Sequence, residues 1–428
     1  MASSSAHNRN PKGKNQFAPV LTADDPTLQA ALEKYHRGLI TDNARISELL
    51  LADHGIEMKP RTVKKRRKEL GLVGSRTTMK MLDPKEAEQL VLDQMDRDLA
   101  RHQGPRVIRH KLAVRTGHHL TRDFVMETMQ LHDSDGFEKR EPMAKKIHRE
   151  PKVPIGTNER WSADGHDKLY GIGFPVWAIV EDATGQWLDC WVVPSNRMGH
   201  VVLYLFLCAI EDVGGMPLQI TTDCGSETTQ LHAMAKALRE SFHPDIDPKE
   251  TPAHVYVRSV HNIAVERSWL RLRLEFGDST VICFKQGEDD GIYLVHIPEH
   301  EQLCQWLWPK LLRKLAKEFM DSRNSYKSRL DHNKPGPSGI SRNEAFSLPH
   351  KWGGRQCLLD VNMDVIRELK DIISGGEDMF RFPLVTAQFE READKIYESL
   401  HIEDLSLCNV WSIFSAMLPL LLVAEKTF

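Results

Sequence analysis

The sequence predicts an α/β domain in the middle of the chain, with a helical region before it and a mostly helical region after it. From residue 159 onward, short β-favouring runs and helical patterns follow one another in the order three strands, helix, strand, helix, strand, helix. Before residue 150, apolar residues recur at helical spacing between glycine-containing breaks. We therefore expect a disordered basic tail, a helical region, an α/β core and a C-terminal helical region over residues 1–22, 23–150, 151–350 and 351–428.

The first helical unit has the spacing of a helix–turn–helix. An apolar helical face reaches Leu50, Gly55 marks a turn, and a basic segment then runs to Gly71, which suits a helix C-terminus. A second helix so placed brings cationic side chains close to a phosphate backbone. The candidates for nucleic-acid contact are Lys64, Lys65, Arg66 and Arg67. The alternative is a solvated basic helix in a small bundle.

A second unit with a similar alternation of helical patterns and turns follows the first. Gly104 and Pro105 break one helical pattern, a second pattern ends near Gly117, and Thr121 is a suitable N-cap for a third. Residues 136–154 are charged and poor in apolar side chains, so we expect a linker there. This unit is a second candidate helix–turn–helix.

The central strands and helices follow from local patterning. Between the second and third β-favouring runs, residues 182–185 form a turn signal, and Gly214 and Gly215 stop a strongly apolar helix. The expected strands are 161–164, 176–180, 187–193, 218–222 and 255–257, and the expected helices are 198–213, 228–241 and one that begins near Asn262.

The C-terminal part predicts further helices and no membrane span. Residues 300–322 read as a long helix, and residues 334–339 as a Pro/Gly-rich loop. The apolar segment 410–424 contains Pro419 and is too short to cross a bilayer, so we expect a buried helix. The seven cysteines are scattered without a CxxC spacing, which argues against disulfides and a cysteine zinc site.

Charge is distributed unevenly along the chain. The formal net charge is −3, but residues 1–150 contain 28 Lys and Arg against 21 Asp and Glu. The remainder contains 29 Lys and Arg against 39 Asp and Glu. A basic part that can meet phosphates therefore precedes an acidic part that can hold cations.

Three carboxylates occupy meaningful positions in this pattern. Asp164 lies on the first expected strand, Asp223 ends the fourth, and Glu266 lies on the later helix. Phosphoryl transfer on DNA is served by two divalent cations about 4 Å apart, which activate the attacking oxygen and stabilise the leaving one. Mg²⁺ prefers oxygen ligands. The three side chains are therefore candidate metal ligands.

These stretches resemble a known family. WSADGHDKL at 161–169, TDCGSE at 222–227 and SVHNIAVERSW at 259–269 are similar to the retroviral-integrase-type catalytic core, with its Asp-Asp-Glu triad on an RNase-H-like fold. More narrowly, they resemble transposon-derived integrase-core proteins of eukaryotes. The resemblance covers roughly residues 155–350 and implies a mixed five-stranded sheet with helices. Forty-two residues separate Asp223 from Glu266, Thr228 stands where the family often has Asn, and no His/Cys zinc module is present.

The resemblance also implies roles for particular residues. Asp164, Asp223 and Glu266 would be the catalytic ligands of Mg²⁺ or Mn²⁺. From their positions beside Glu266, and not from the resemblance, His261, Asn262 and Arg267 are candidates for contact with DNA, although Asn262 can simply cap a helix and Arg267 can be a surface charge. Glu227 and Asp167 are rival carboxylates, the first more simply a solvated residue at a helix start.

Function is predicted on the same basis. We expect a DNA integrase or transposase that cleaves and joins strands, acts as a homo-oligomer on DNA ends and works in the nucleus. The alternatives are a domesticated, non-catalytic nucleic-acid-binding protein that keeps the fold, and a metal-dependent nuclease of the same fold.

Overall fold

The computed structural model describes residues 21–133, 153–166, 169–257, 263–373 and 379–425. The expected basic tail, except for Leu21 and Thr22, and almost all of the expected linker lie outside these residues. The N-terminal region is helical, as predicted, with helices α1 (Pro26–Arg37), α2 (Asn43–His54), α3 (Pro60–Glu69), α4 (Ser75–Met81), α5 (Pro84–Asp96), α6 (Pro105–Thr116) and α7 (Arg122–His132).

Local signals explain where these helices begin and end. The Asp25, Asp42 and Thr121 side chains accept hydrogen bonds from backbone N–H groups at the starts of α1, α2 and α7. Gly55 and Gly117 end α2 and α6 in the left-handed conformation, at φ of 65° and 76°, where a side chain is disfavoured. The predicted cap at Thr121 is confirmed.

The N-terminal helices pack as two small bundles, each with its own core. Helices α1 to α3 enclose one apolar cluster, which also takes in Leu348 from the later part of the chain. Helices α5 to α7 enclose a second cluster around Val91, Ile108 and Val125. Each amphipathic helix thus buries its apolar face against its neighbours.

A mixed five-stranded sheet forms the centre of the molecule, as predicted. Its strands are β2 (Arg160–His166), β3 (Val176–Glu181), β4 (Trp187–Val192), β5 (Gln219–Thr222) and β6 (His254–Tyr256). The spatial order is β4-β3-β2-β5-β6, in which β2, β3 and β4 are antiparallel and β5 and β6 run parallel to β2. Two short strands, β1 (Gly156–Thr157) and β7 (Arg355–Gln356), pair in parallel beside it.

Helices cover both faces of the sheet. Helices α8 (Gly199–Val213) and α9 (Thr229–Phe242) bury one face together with Trp161 and Ala163 of β2. The other face is covered by α10 (Ile263–Leu272), a π-helical turn (Arg273–Gly277), α11 (Asp278–Asp289) and α12 (Pro298–Ser325). Because side chains alternate along a strand, the Asp164 side chain lies on the α10 face of β2, and those of Trp161 and Ala163 lie on the opposite face.

The C-terminal part adds helices to both faces of the sheet. It contains α13 (Arg342–Ser347), α14 (Met363–Ile372), α15 (Ala387–Ser399) and α16 (Val410–Glu425). The predicted buried helix at 410–424 is confirmed, with Pro419 inside it. Among the described residues, no helix combines the length and the apolarity that crossing a membrane requires.

Candidate active site

The sheet register brings two of the predicted carboxylates to the same place. Strands β2 and β5 are parallel neighbours, with Trp161 opposite Ile220 and Ser162 opposite Thr221. Continued by two residues, this register sets Asp164 opposite Asp223. Neighbouring strands lie about 4.8 Å apart in the hydrogen-bonding direction. The two acidic residues, far apart in sequence, therefore belong to one end of one strand pair.

The backbone at Asp223 is fixed by hydroxyl groups on both sides. The Thr222 hydroxyl donates to the Asp223 carbonyl at 3.0 Å, and the buried Thr228 hydroxyl lies 3.3 Å from that carbonyl and 2.7 Å from the Gly225 carbonyl. Thr222 also contacts Nε2 of the buried His254 at 2.9 Å. The strand end is thus held in place without using the Asp223 side chain.

Helix α10 is attached to β2 through the candidate carboxylate itself. The indole Nε1 of Trp269 donates to Oδ2 of Asp164 at 2.9 Å. The Trp269 ring stacks on His166, with centroids 4.5 Å apart and planes 9° apart. Trp269 lies three residues after Glu266, close to one helical turn. This anchor sets the first turn of α10, which carries Glu266, over the Asp164 end of the sheet.

The three carboxylates influence one another electrostatically. Burial, together with the negative charges of Asp223 and Glu266, raises the pKa of Asp164 to about 7. The hydrogen bond from Trp269 favours the ionised form and lowers the pKa, so it only partly opposes these effects. A carboxyl group with a pKa near neutrality, beside two further acids, is typical of a functional site.

The arrangement stops short of a closed metal centre. Across the described part of the chain, no three His, Cys, Asp or Glu side chains lie close enough together to hold one ion. Asp223 is half-buried and Glu266 is exposed, and neither forms an ion pair with another described residue. Nothing among those residues therefore holds either carboxylate away from Asp164.

The predicted DNA contacts beside the acids and the two rival carboxylates are only partly described by the structure. Asp167, His261 and Asn262 lie outside the described residues, so their proposed contacts stay predictions. Arg267 is described and exposed, one residue beyond Glu266. The Glu227 carboxylate folds back over Gly225, 1.9 Å from where a Cβ would stand. Its place in the short helix Ser226–Thr228 agrees with its interpretation as a helix-start residue.

The basic helix α3 requires a correction. Lys64 and Lys65 are exposed, as a DNA-contacting surface requires. Arg67 is instead buried and donates to the Thr41 carbonyl and the Asn43 side chain, both at 2.8 Å. Arg66 donates to the Leu21 carbonyl and pairs with Glu69 at 2.9 Å. The two arginines hold the helical unit together, because a charged run on an amphipathic helix also covers the face that meets its neighbours.

Other residues of the site were not predicted from the sequence. Trp269 is absent from the predicted site residues, but its N–H positions Asp164; the family-like ERSW stretch was the available signal. Thr228 was noted only as a departure from Asn, yet its hydroxyl holds the turn after Asp223. No local pattern marked the buried His254, whose contact with Thr222 needs the β5–β6 pairing.

Comparison with known proteins agrees with this architecture. Residues 152–346 match the family model described as integrase core domain. No curated protein matches the chain. The match spans the five-stranded sheet, helix α10 and all but the last residue of α13, and the resemblance noted from the sequence is confirmed over that range. Residues 152–346 therefore match an integrase core domain, and their mixed five-stranded sheet with helices on both faces is that of an RNase H-like fold.

Proposed function

We propose that this protein is a DNA integrase or transposase that cleaves DNA strands and joins them, with Asp164, Asp223 and Glu266 holding two Mg²⁺ or Mn²⁺ ions. The observation that carries the proposal is the convergence of the first two acids on neighbouring parallel strands. The hydrogen bond from Trp269 to Asp164 places helix α10, which carries Glu266, beside these two acids. Their order along the chain is the one that the integrase core requires.

The donor set fits a pair of hard divalent cations. All three side chains offer carboxylate oxygens, which Mg²⁺ and Mn²⁺ prefer over nitrogen or sulfur. The mutual repulsion that raises the pKa of Asp164 is relieved when positive charge is supplied. When bound, the ions would activate the attacking oxygen and stabilise the leaving oxygen of an in-line displacement.

The chain's own residues supply positioning and charge. Trp269 orients Asp164, and the hydroxyl groups of Thr222 and Thr228 fix the backbone of Asp223. Glu266 is exposed on α10, so its side chain has rotamer freedom to turn toward the other two acids. Near neutral pH a large fraction of Asp164 carries a proton, which would have to leave for Asp164 to hold a cation.

DNA would be bound largely through phosphates, with Lys64 and Lys65 contributing from the N-terminal helices. Such binding falls steeply with salt concentration. We further infer that the protein acts as a homo-oligomer on two DNA ends, as the resemblance to integrase cores implies. We also infer that it works in the nucleus, because its proposed substrate is chromosomal DNA.

The experiment uses the purified full chain, labelled DNA ends and a plasmid acceptor, with Mg²⁺ or Mn²⁺. We expect cleaved and joined products from the wild type. Asp223→Asn should keep DNA affinity and lose at least about 100-fold in turnover, since a metal ligand is removed. Glu227→Gln is the matched control and should keep turnover.

The other outcomes are informative. Metal-dependent turnover that survives Asp223→Asn, or that Glu227→Gln removes as completely, would refute the proposed site. Cleavage without joining would identify a nuclease. Binding with neither step would identify a non-catalytic DNA-binding protein.

A further inference from the structure

A cationic cavity lies on the other flank of the catalytic helix. It has a volume of ≈ 900 Å³ and opens between α10, the β3–β4 turn and the loop that precedes α13. Its charged lining is predominantly basic, with two carboxylates, Glu159 and Asp182, and six cations: Arg160, Arg267, Arg271, Arg323, Lys334 and Arg342. Such an excess of like charge is costly in a concave site unless an anion occupies it.

The two carboxylates of the lining are already engaged. Glu159 accepts from the Ile155 backbone N–H at 2.6 Å, and Asp182 accepts from the Ser162 hydroxyl at 2.5 Å. Among the described residues, none of Arg267, Arg271 and Lys334 forms an ion pair. These three cations are therefore available to a ligand.

Arg342 gives the cavity a half-buried and incompletely partnered cation. One of its terminal nitrogens donates to the Arg323 carbonyl at 2.7 Å, but its buried Nε finds no partner within the described chain. Burial, followed by the charge of Arg323, lowers the pKa of Arg342 to about 9. Burial, followed by the charges of Arg342 and Arg267, also lowers the pKa of Lys334. An unpartnered guanidinium nitrogen and crowded cations are what a bound anion would satisfy.

The cavity is distinct from the acidic centre. Ala264, Arg267, Ser268 and Arg271 line it and share one flank of α10, at the helical spacing i, i+3, i+4 and i+7. Trp269, which is bonded to Asp164, points from another flank. At 100° per residue, Glu266 lies between these two flanks. An anion in the cavity therefore cannot be the phosphate that reacts at the acidic centre.

We propose that this cavity binds a backbone phosphate of the DNA strand that crosses the exposed face of α10, away from the reacting phosphodiester. The proposal rests on the proposed function for its choice of DNA as the anion. Guanidinium forks and an ammonium group suit phosphate oxygens, and they read no base sequence. The half-exposed Leu270 at the rim leaves the helix face open to a passing strand.

The test measures DNA affinity without divalent cations, by fluorescence anisotropy of labelled oligonucleotides over a range of salt. Lys334→Gln and Arg271→Gln should each weaken binding about tenfold, whatever the DNA sequence. Each should also reduce the slope of log affinity against log salt by about 1, because one phosphate contact is lost. Lys236→Gln is the matched control, since it removes an exposed charge from α9 on the opposite face of the sheet, and it should change neither quantity.

A second arm separates DNA from a free phosphorylated anion. Tripolyphosphate is added to the wild type and to Lys334→Gln, and thermal stability and competition with DNA are measured. Stabilisation that Lys334→Gln removes, with DNA affinity unchanged, would overturn the assignment to DNA. Unchanged DNA affinity and salt slope in both variants, with each still folded and with no stabilisation of the wild type by tripolyphosphate, would overturn the cavity as a phosphate site.

The two proposals fail in different ways. If the wild type cleaves DNA and Lys334→Gln binds DNA as tightly as the wild type, the cavity inference fails alone. If Lys334→Gln weakens binding but the wild type never cleaves, the catalytic proposal fails and the cavity inference survives. A wild type that binds no DNA would overturn both.

Discussion

The indole of Trp269 favours the ionised form of Asp164. Its N–H donates to the carboxylate oxygen, and a hydrogen bond to the charged form lowers a carboxyl pKa. Burial and the charges of Asp223 and Glu266 act in the opposite direction and predominate, because the pKa still lies at about 7. Asp164 therefore gains and loses its proton near neutral pH.

Replacing this indole predicts a pH shift with a definite sign. In Trp269→Phe the donor is lost, so we expect the pKa of Asp164 to rise further and the ionised form to require higher pH. The acidic limb of a cleavage profile should move to higher pH accordingly. Carboxyl NMR titration of the metal-free protein checks the pKa directly.

Trp177→Phe serves as the control for that experiment. Trp177 is equally buried, but its indole N–H has no partner within the described residues and it packs on the opposite face of the sheet. Its loss should leave the pKa of Asp164 in place. An unchanged Asp164 titration in Trp269→Phe would contradict the positioning role of the hydrogen bond.

The ten-residue helix α3 carries basic side chains of two kinds: some are buried against neighbouring helices, and others are exposed to solvent. The exposed Lys64 and the buried Arg67 are both cations of one run, but they face in different directions. Arg67→Ala should destabilise the protein by about 2–3 kcal/mol, because the Thr41 carbonyl and the Asn43 side chain lose a charged donor. Lys64→Ala should leave stability within about 0.5 kcal/mol and weaken DNA binding. Chemical denaturation and anisotropy measure the two effects, and the reverse pattern would show that the helix faces are misassigned.

Elements with a strong periodic pattern were predictable from the sequence. The strands at Asp164 and Asp223 and the apolar helix α8 fall within a few residues of the expected bounds, since side-chain periodicity and glycine stops determine them. The short helix α4 and helices α14 and α15 were not identified, and the π-helical turn carries no sequence pattern of its own. Their formation depends on tertiary packing, which local propensity does not encode.

Some residues of the candidate site could likewise be predicted from the sequence, and others could not. The three acids could be selected from their order and the elements that carry them. The cavity could not, because Arg160, Arg267, Lys334 and Arg342 come from four separate segments that only the completed fold brings together. The inward turn of Arg67 was missed for a related reason, since a run of charges does not reveal which member faces a neighbour.

At the scale of the whole molecule, one buried carboxylate joins three regions. Glu275 in the π-helical turn pairs with Arg323 of α12 at 3.1 Å and with Lys111 of α6 at 3.7 Å. Gln103, just before α6, donates to the Glu275 carbonyl at 2.9 Å. One ionic junction at Glu275 therefore connects the N-terminal helices, the π-helical turn that follows α10, and the long helix α12.

Removing that charge should cost more than an ordinary surface substitution. Glu275→Gln leaves two buried cations without a carboxylate, so we expect a loss of about 3–5 kcal/mol in the free energy of unfolding. Glu288→Gln, an exposed change on α11, should have little effect. Denaturant unfolding gives the values, and adding Lys111→Met to Glu275→Gln should recover part of the loss. Equal stability of the Glu275 and Glu288 variants would show that the junction contributes nothing.

The ion pairs of Glu275 also fix one end of the rigid segment that begins with helix α10. Helix α10 continues through the π-helical turn, so Glu275 and Glu266 stand nine residues apart on one stiff rod, about 13 Å in length. A tilt of about 5° at the clamped end would carry the far end about 1 Å, a misplacement large enough to cost about 100-fold in rate. Under the proposed function, DNA binding by the N-terminal helices would therefore change the position of Glu266 relative to Asp164 and Asp223.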